Sequence, residues 1–353
     1  MSRAARRFLL SLGAAATAGV SVVPANAAAQ RPEALWYTTR SRRSTEDFVA
    51  HASQVDIVAP QVFVFERSGA IHGKVDPELV AAAHEHHVKL VPLVVNPGFD
   101  QDLAHRLFTV ASVRERAVRS LAALCHDNHF DGIQFDLENI NVRDRDAFTR
   151  FAQLSSAALH NVGCSLSAAV VPRTSDEPGP TAFHRWMYEN WRGAYDYKAL
   201  ADTMDFISYM TYAEHTGNTT PGPVAGYSWM ADALEFVLSK GVPPSKISLG
   251  IPSYSDYWYP TYSRKSGERA SGRDISYATA ESLVTRFKLQ PTWDERDKAP
   301  YAFWSNDGVY NHLWIEDARA FEAKERLVKE RRLRGYSVWV MGFEDPRVWG
   351  KGE

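Results

Sequence analysis

The stretch Phe130-Asp131-Gly132-Ile133-Gln134-Phe135-Asp136-Leu137-Glu138-Asn139-Ile140 decides how the chain is read. Side chains of a β-strand point to alternate faces, so Ile133, Phe135 and Leu137 share one face and Gln134, Asp136 and Glu138 the other. In a parallel barrel the apolar set packs on the outer helices, which turns the polar set inward, where branched apolar residues normally fill the layers. Carboxylates placed there cost several kcal/mol unless they are hydrogen-bonded or partly neutralised. Close like charges also push one pKa upward. A carboxyl group that stays protonated near neutral pH can act as a general acid. Glu138 is nearest the C-terminal end of the strand, which is the mouth where barrel active sites lie.

Working outward, short apolar runs bounded by turn residues recur at 35–38, 55–65, 88–95, 164–171, 206–212, 247–251 and 336–341. With 130–140 they make eight buried strands. Helical patterns at 77–87, 113–126 and 146–161 lie between them. Eight strands alternating with helices predict an α/β fold, a (β/α)8 TIM barrel, over residues 28–353. An open doubly wound sheet is the alternative architecture, but no glycine-rich phosphate loop follows the first strand. The rhythm breaks before the last strand. There a helix at 278–287, two strand-like runs at 301–304 and 309–314 around Asn306-Asp307-Gly308, and a helix at 316–332 predict a small α+β insertion at about 256–315.

The chain has 353 residues with 45% hydrophobic and 23% charged content, which suits a globular domain. A net charge of -2 offers nothing to a polyanion and speaks against a nucleic-acid partner. Arg3, Arg6 and Arg7, an apolar run from Phe8 to Val23, and Pro24-Ala25-Asn26-Ala27 compose a signal peptide over residues 1–27, with cleavage expected after Ala27. This predicts export to a periplasmic or extracellular location, without a membrane anchor and most simply as a monomer. Export permits disulfides. Cys125 closes a helix and Cys164 opens the next strand, so a bridge and a pair of buried thiols both fit.

The segment from Asp131 to Glu138 resembles the DGxDxDxE signature of glycoside hydrolase family 18, the chitinase family, with Gln134 where Asp is usual. With Asn139-Ile140 following, it looks most like the branch of bacterial spore-cortex and peptidoglycan N-acetylglucosaminidases. Met210-Thr211-Tyr212 is similar to the M-x-Y of the family's sixth strand, Leu249 to Tyr254 to its seventh, and Gly335 to Trp339 to its eighth. The resemblance implies a catalytic set of Glu138, Asp136 and Tyr212, with Asp131, Gln134, Met210, Tyr254 and Trp339 at the substrate. It implies neither metal nor other cofactor. Asp136 and Glu138 project from one side, whereas an ordinary carboxyl pair must flank the scissile bond. The family takes its nucleophile from the substrate's own N-acetyl oxygen, with retention of configuration. In that scheme Glu138 protonates the leaving oxygen, Asp136 supports the acetamido group, Tyr212 donates to its carbonyl and Trp339 floors the sugar. The carboxylate usual after M-x-Y is absent: Ala213 stands there, with Glu214 one residue on.

Two function classes follow from the resemblance. One is an exported hydrolase of β-linked N-acetylglucosamine glycans, either peptidoglycan or chitin-like. The other is a non-catalytic glycan-binding protein on the same barrel, suggested by Gln134 and Ala213; retention of Glu138 favours the enzyme. Twelve per cent aromatic residues, ten of them Trp, suit sugar clefts and large cores alike. Clusters at Trp186, Tyr188, Trp191 and Tyr195, and at Tyr254, Tyr257, Trp258, Tyr259 and Tyr262, are expected in loops on the catalytic face. His84, His86 and His87 read as a solvated helix end.

Overall fold

The computed structural model describes residues 31–263, 267–306 and 308–350. The expected signal peptide, and Asp307 of the turn signature, lie outside them. The described chain forms the barrel. Its first strand β1 (Glu33–Thr38) leads through α1 (Arg42–His51) to β2 (Ile57–Phe65), which carries a short antiparallel β3 (Ile71–His72). Helix α2 (Pro77–Glu85) starts where Asp76 caps the Glu78 N–H and Pro77 occupies the first turn. Then come β4 (Lys89–Leu90), β5 (Leu93–Val95), α3 (Gln101–Thr109), α4 (Ala111–Asp127), β6 (Gly132–Asp136), α5 (Arg145–His160) and β7 (Ser165–Val170). Helices α6 (Ala182–Met187) and α7 (Tyr197–Thr203) precede β8 (Phe206–Tyr209), and α8 (Tyr227–Ser239) precedes β9 (Ile247–Pro252).

An antiparallel sheet follows before the barrel resumes. It holds β10 (Ser255–Ser263), β11 (Gly267–Ile275), β12 (Thr292–Asp294), β13 (Ala299–Asn306) and β14 (Val309–Trp314), in the order β11-β10-β14-β13-β12. Helix α9 (Tyr277–Arg286) covers its inner face, where Ala280 packs with Ile275, Ala302 and Leu313. Helix α10 (Ala318–Glu330) returns to the last barrel strand, β15 (Gly335–Trp339). The barrel order is β1-β15-β9-β8-β7-β6-β5-β2, and pairing of β1 with β2 closes it.

In three strands that are shorter than their apolar runs the cause is visible. The third is cut into β4 and β5 at Val91-Pro92, because proline has no N–H for the ladder. The sixth ends at Tyr209, where Thr211 N–H turns back to Tyr209 O and Tyr212 N–H to Met210 O. The fourth ends at Asp136, because beyond it a side chain, Asn96, takes over the backbone hydrogen bonds of Glu138.

The apolar face of β6 packs outward. Phe135 stacks on Phe151 at 5.3 Å and meets Phe65 at 6.4 Å. Inside the barrel, Leu35, Tyr37, Ile57, Ala59, Val91, Leu93, Phe206 and Val340 form a separate apolar cluster. Cys125, near the end of α4, and Cys164, just before β7, are joined by a disulfide with Cα atoms 6.5 Å apart. It sits at the N-terminal end of the barrel, opposite the mouth. Of the two states left open by the sequence, the bridge is the one adopted.

The bridge closes a loop of 39 residues in the unfolded chain. Loop-closure entropy assigns it about 2–4 kcal/mol. The double variant Cys125→Ala/Cys164→Ala is therefore expected to lower unfolding free energy by about that amount in denaturant titration, with the far-UV circular dichroism of the folded barrel preserved.

Candidate active site

The interior face of β6 climbs from Gln134 through Asp136 to Glu138. Gln134 is fully buried and all its polar atoms are engaged by the protein. Its Oε1 accepts from the Tyr37 hydroxyl at 2.7 Å, and its Nε2 donates to Ser167 Oγ at 2.9 Å and Ser208 Oγ at 3.3 Å. An amide here places no second negative charge beneath Asp136. Expected at the substrate, it lies beneath the two carboxyls as the floor of the site, with its polar atoms held by the protein.

Asp136, 7% exposed, accepts from Gln61 Nε2 at 3.1 Å. Burial raises its pKa, and the Gln61 hydrogen bond partly counters this. Gln61 reaches inward at an irregularity in β2, where the register with β5 shifts between Gln61 and Phe63. Glu138 sits higher and keeps an edge open to solvent. Its carboxyl is also pushed upward, first by burial and then by the negative charge of Asp136. The pair thus has the electrostatics expected from the alternation of the strand.

The backbone at Glu138 is held from both sides. Asn96 Nδ2 donates to Glu138 O at 2.8 Å, and Glu138 N–H donates to Asn96 Oδ1 at 3.0 Å. Asn96 is itself only 2% exposed. One residue earlier, Leu137 O accepts from the Tyr195 hydroxyl at 2.8 Å. These bonds fix the direction of the Glu138 side chain without using its carboxyl group.

Tyr212 lies beside the pair. Burial raises its pKa well above the usual phenol range, and the fields of Tyr37, Asp136, Tyr254 and Glu138 add to this. Trp339 ends β15 with its ring 5.6 Å from that of Tyr37. Its carbonyl accepts from Ser253 N–H at 2.8 Å, and Ser253 Oγ bonds Val340 on both N–H and C=O at 2.7 Å. Asp136, Glu138, Tyr212 and Trp339, from three different strand ends, therefore converge on one mouth. Met210 is buried just below Tyr212.

Two further residues expected at the substrate are engaged by the protein itself. Asp131 is exposed and precedes β6, with Oδ2 accepting from Leu90 N–H at 2.8 Å. Seven residues of extended chain put it roughly 20 Å from Glu138, at the opposite end of the barrel. Tyr254 is only 6% exposed and hydrogen-bonds the backbone of Ala213. It braces the turn after Tyr212, where Ala213 adopts φ 56°. Nor does Glu214 stand in for the carboxylate missing at Ala213. It accepts from Gly226 N–H at 2.8 Å and faces the charge of Asp297. Tyr37, Gln61 and Asn96 were not singled out by the sequence. The signal for Gln61 was there: a lone polar residue inside the run IVAPQVFVF.

Of the aromatic clusters, Tyr195 and Trp258 are core, whereas Trp186 is about half exposed. The side chain of Tyr262 lies outside the described residues. His84, His86 and His87 are exposed at the end of α2.

This barrel and its mouth define a glycoside hydrolase class. The chain matches Glycosyl hydrolases family 18 over residues 76–344 and belongs to that family. It is similar to the Uncharacterized glycosylase YvbX of Bacillus subtilis (strain 168), 25% identical over 97% of this chain and 93% of that protein. It is 27% identical to the Cortical fragment-lytic enzyme of the same organism, covering 81% of this chain but 64% of that enzyme. Among solved structures, a chitinase from Chromobacterium violaceum ATCC 12472 superposes with a TM-score of 0.80 at 27% identity, over 90% of this chain and 97% of that one. The Bacillus cereus spore cortex-lytic enzyme SleL superposes equally well, with a TM-score of 0.80 at 22% identity over 91% and 73% of the two chains. Membership of this family, with a cortical fragment-lytic enzyme and a chitinase both among the similar proteins, supports a glycan-hydrolase activity.

The raised pKa of Glu138 has a stability consequence. A carboxyl whose folded pKa exceeds its unfolded value contributes stability that is complete below the unfolded pKa and lost as pH rises through the folded one. Glu138→Gln removes that loss. Its melting temperature should match the wild type near pH 4 and exceed it by at least about 3 °C near pH 9. Equal melting curves at both pH values would show that Glu138 titrates normally.

Proposed function

We propose that this protein is an exported N-acetylglucosaminidase-type hydrolase that cleaves peptidoglycan glycan strands by substrate-assisted, retaining catalysis. The observation that carries the reading is the position of Glu138: a carboxyl held protonated by burial and by Asp136, on a backbone fixed by Asn96, at the mouth of a family 18 barrel. Its likeness in sequence to a cortical fragment-lytic enzyme is the ground for taking peptidoglycan as the substrate.

In this scheme Glu138 gives its proton to the leaving glycosidic oxygen. The acetamido oxygen of the same sugar attacks the anomeric carbon from the opposite side and closes an oxazolinium ring. Asp136 sits where positive charge develops on the acetamido nitrogen and stabilises it. The Tyr212 hydroxyl, kept neutral by burial, donates to the acetamido oxygen. Trp339 offers its ring as the floor of the subsite. Glu138, now ionised, takes a proton from water as that water opens the ring with retention. Gln134 takes no part in proton transfer; it fixes Tyr37 beneath Asp136. Export would follow from the leader read over residues 1–27.

Three results test this reading. Glu138→Gln should lose at least about 10²-fold in release of reducing ends from peptidoglycan and N-acetylglucosamine oligomers, while still binding both. De-N-acetylated oligomers should not be cleaved by the wild type. If the wild type cleaves neither glycan and binds as well as the variant, the protein is a binder and not a hydrolase.

The pH profile of Asp136→Asn supplies a second test. Removing the neighbouring charge lowers the pKa of Glu138. The acid must be protonated to act, so the alkaline limb of kcat/KM on residual activity should move to lower pH. A limb that stays in place would remove Asp136 from the electrostatics of the acid.

A further inference from the structure

The loops that follow β5 and β6 are stitched together by side-chain amides directly beside Glu138. After β5 the chain makes a tight turn at Pro97–Phe99 and enters α3 at Gln101. Two residues of this turn are left-handed, Gly98 at φ 64° and Phe99 at φ 55°. After β6 the residue next to Glu138, Asn139, is left-handed as well, at φ 54°. Glycine and asparagine take this conformation readily, whereas a bulky phenylalanine does so only when its surroundings hold it there.

The holding bonds form a ring. Asn96, at the head of the first loop, bonds both N–H and C=O of Glu138. Its Nδ2 also donates to Asp100 O at 3.3 Å. The next residue, Gln101, donates through Nε2 to Asn139 O at 3.1 Å and to Asn139 Oδ1 at 3.3 Å. Asn139 Nδ2 returns the bond, donating to Phe99 O at 2.9 Å. The path from Glu138 through Asn96, Asp100, Gln101 and Asn139 closes on itself through the Glu138–Asn139 peptide bond. A third loop is drawn in at Asn190, in the π-helical turn Tyr188–Arg192. Its Oδ1 accepts from Gln101 Nε2 and from Asn141 Nδ2, both at 3.1 Å.

Amides suit this task. A carboxylate at 101 or 139 would place another negative charge beside the acid, whereas an amide both donates and accepts without charge. No hydrogen bond among the described residues engages the Glu138 carboxyl, so the direction of that side chain comes from its backbone. Asn96 alone grips the Glu138 peptides but would be free to move with its own loop. Gln101 and Asn139 remove that freedom, because they tie the loop back to the end of the strand.

We propose that Gln101 and Asn139 are positioning residues, an uncharged clamp that holds the 96–101 loop against the end of β6 and so keeps the Glu138 carboxyl aimed at the leaving oxygen. The proposal rests on the reading of Glu138 as general acid. The pair acts through Glu138 and takes no part in bond breaking.

The test uses two leaving groups. A sugar alkoxide needs a proton to depart, and dinitrophenolate, a weak base, does not. Glu138→Gln should therefore lose activity on N-acetylglucosamine oligomers and retain far more on their dinitrophenyl glycosides. Gln101→Met keeps the helix and the length of the side chain but removes the donor. Asn139→Gly keeps the left-handed backbone at no steric cost and removes both side-chain bonds. Each variant is expected to lower kcat/KM on the oligomers about tenfold and to leave kcat/KM for dinitrophenolate release within about twofold. The double variant should be little worse than either single one, because both break the same ring. An equal loss on both substrates is a general structural fault and overturns the proposal, as does full activity of both variants on the oligomers. Carbon-13 NMR titration of the Glu138 carboxyl reads its aim without turnover. In both variants the midpoint should fall by about half a pH unit or more as the side chain gains water, and an unchanged midpoint overturns the proposal. If the wild type cleaves neither substrate, or Glu138→Gln fails equally on both, the hydrolase reading fails on its own, and the titration still decides whether the pair aims the carboxyl.

Discussion

The site depends on the burial of polar groups on the inner face of one strand. Gln134 can lie at the centre of the barrel because each of its polar atoms has a partner in Tyr37, Ser167 or Ser208. Asp136 has one described side-chain donor, Gln61, and no hydrogen bond engages the carboxyl of Glu138 among the described residues. The imbalance rises along the strand, from a fully bonded amide to an unbonded carboxyl. The raised pKa values of the two acids express it. The surrounding fold must hold these groups in place against their own solvation, and it does so through backbone bonds. Asn96 and Tyr195 fix the peptides at Leu137 and Glu138, so the acid is aimed without being neutralised.

The insertion is tied to this site through its root. Tyr254 bonds the backbone of Ala213, and so supports the turn that presents Tyr212. Nearby, Glu316 and Lys324 form a buried ion pair that links the end of β14 to α10, and Glu316 N–H donates to Ser255 Oγ at 2.9 Å. Asp256 faces Asp274 across the β10–β11 ladder, and burial raises its pKa to about 9. A pair of facing carboxyls is stable when one keeps its proton, which leaves this second acidic pair with a single negative charge between two strands. The sheet of the insertion is thus anchored to the strand ends that carry the candidate catalytic groups.

Much of the site was legible because alternation on β6 is a local property. Polar residues at 134, 136 and 138 within an apolar strand require an inward polar face whatever the remaining topology. The same logic applied to Gln61, although there the polar residue stood alone and its inward direction depended on a shift of register. Asn96 could not be found this way. Its role is to complete the backbone hydrogen bonds of a residue 42 positions away, and no local pattern records that. Asp131 was misplaced for the opposite reason. It belongs to the recognised motif, but a strand has two ends, and Asp131 lies at the end away from the chemistry.

The sequence by itself determined the barrel, the inward face of β6, and the convergence of strand ends on one mouth, because periodicity and chain order dictate these. Tertiary structure decided the rest. It chose the disulfide over free thiols, since only the closed barrel brings Cys125 to Cys164. It supplied protein partners for the polar atoms of Gln134 and Tyr254, and it turned Glu214 toward Gly226. It also brought the aromatic residues of β13 and β14 into one exposed ladder, because pairing across a hairpin sets which rings become neighbours.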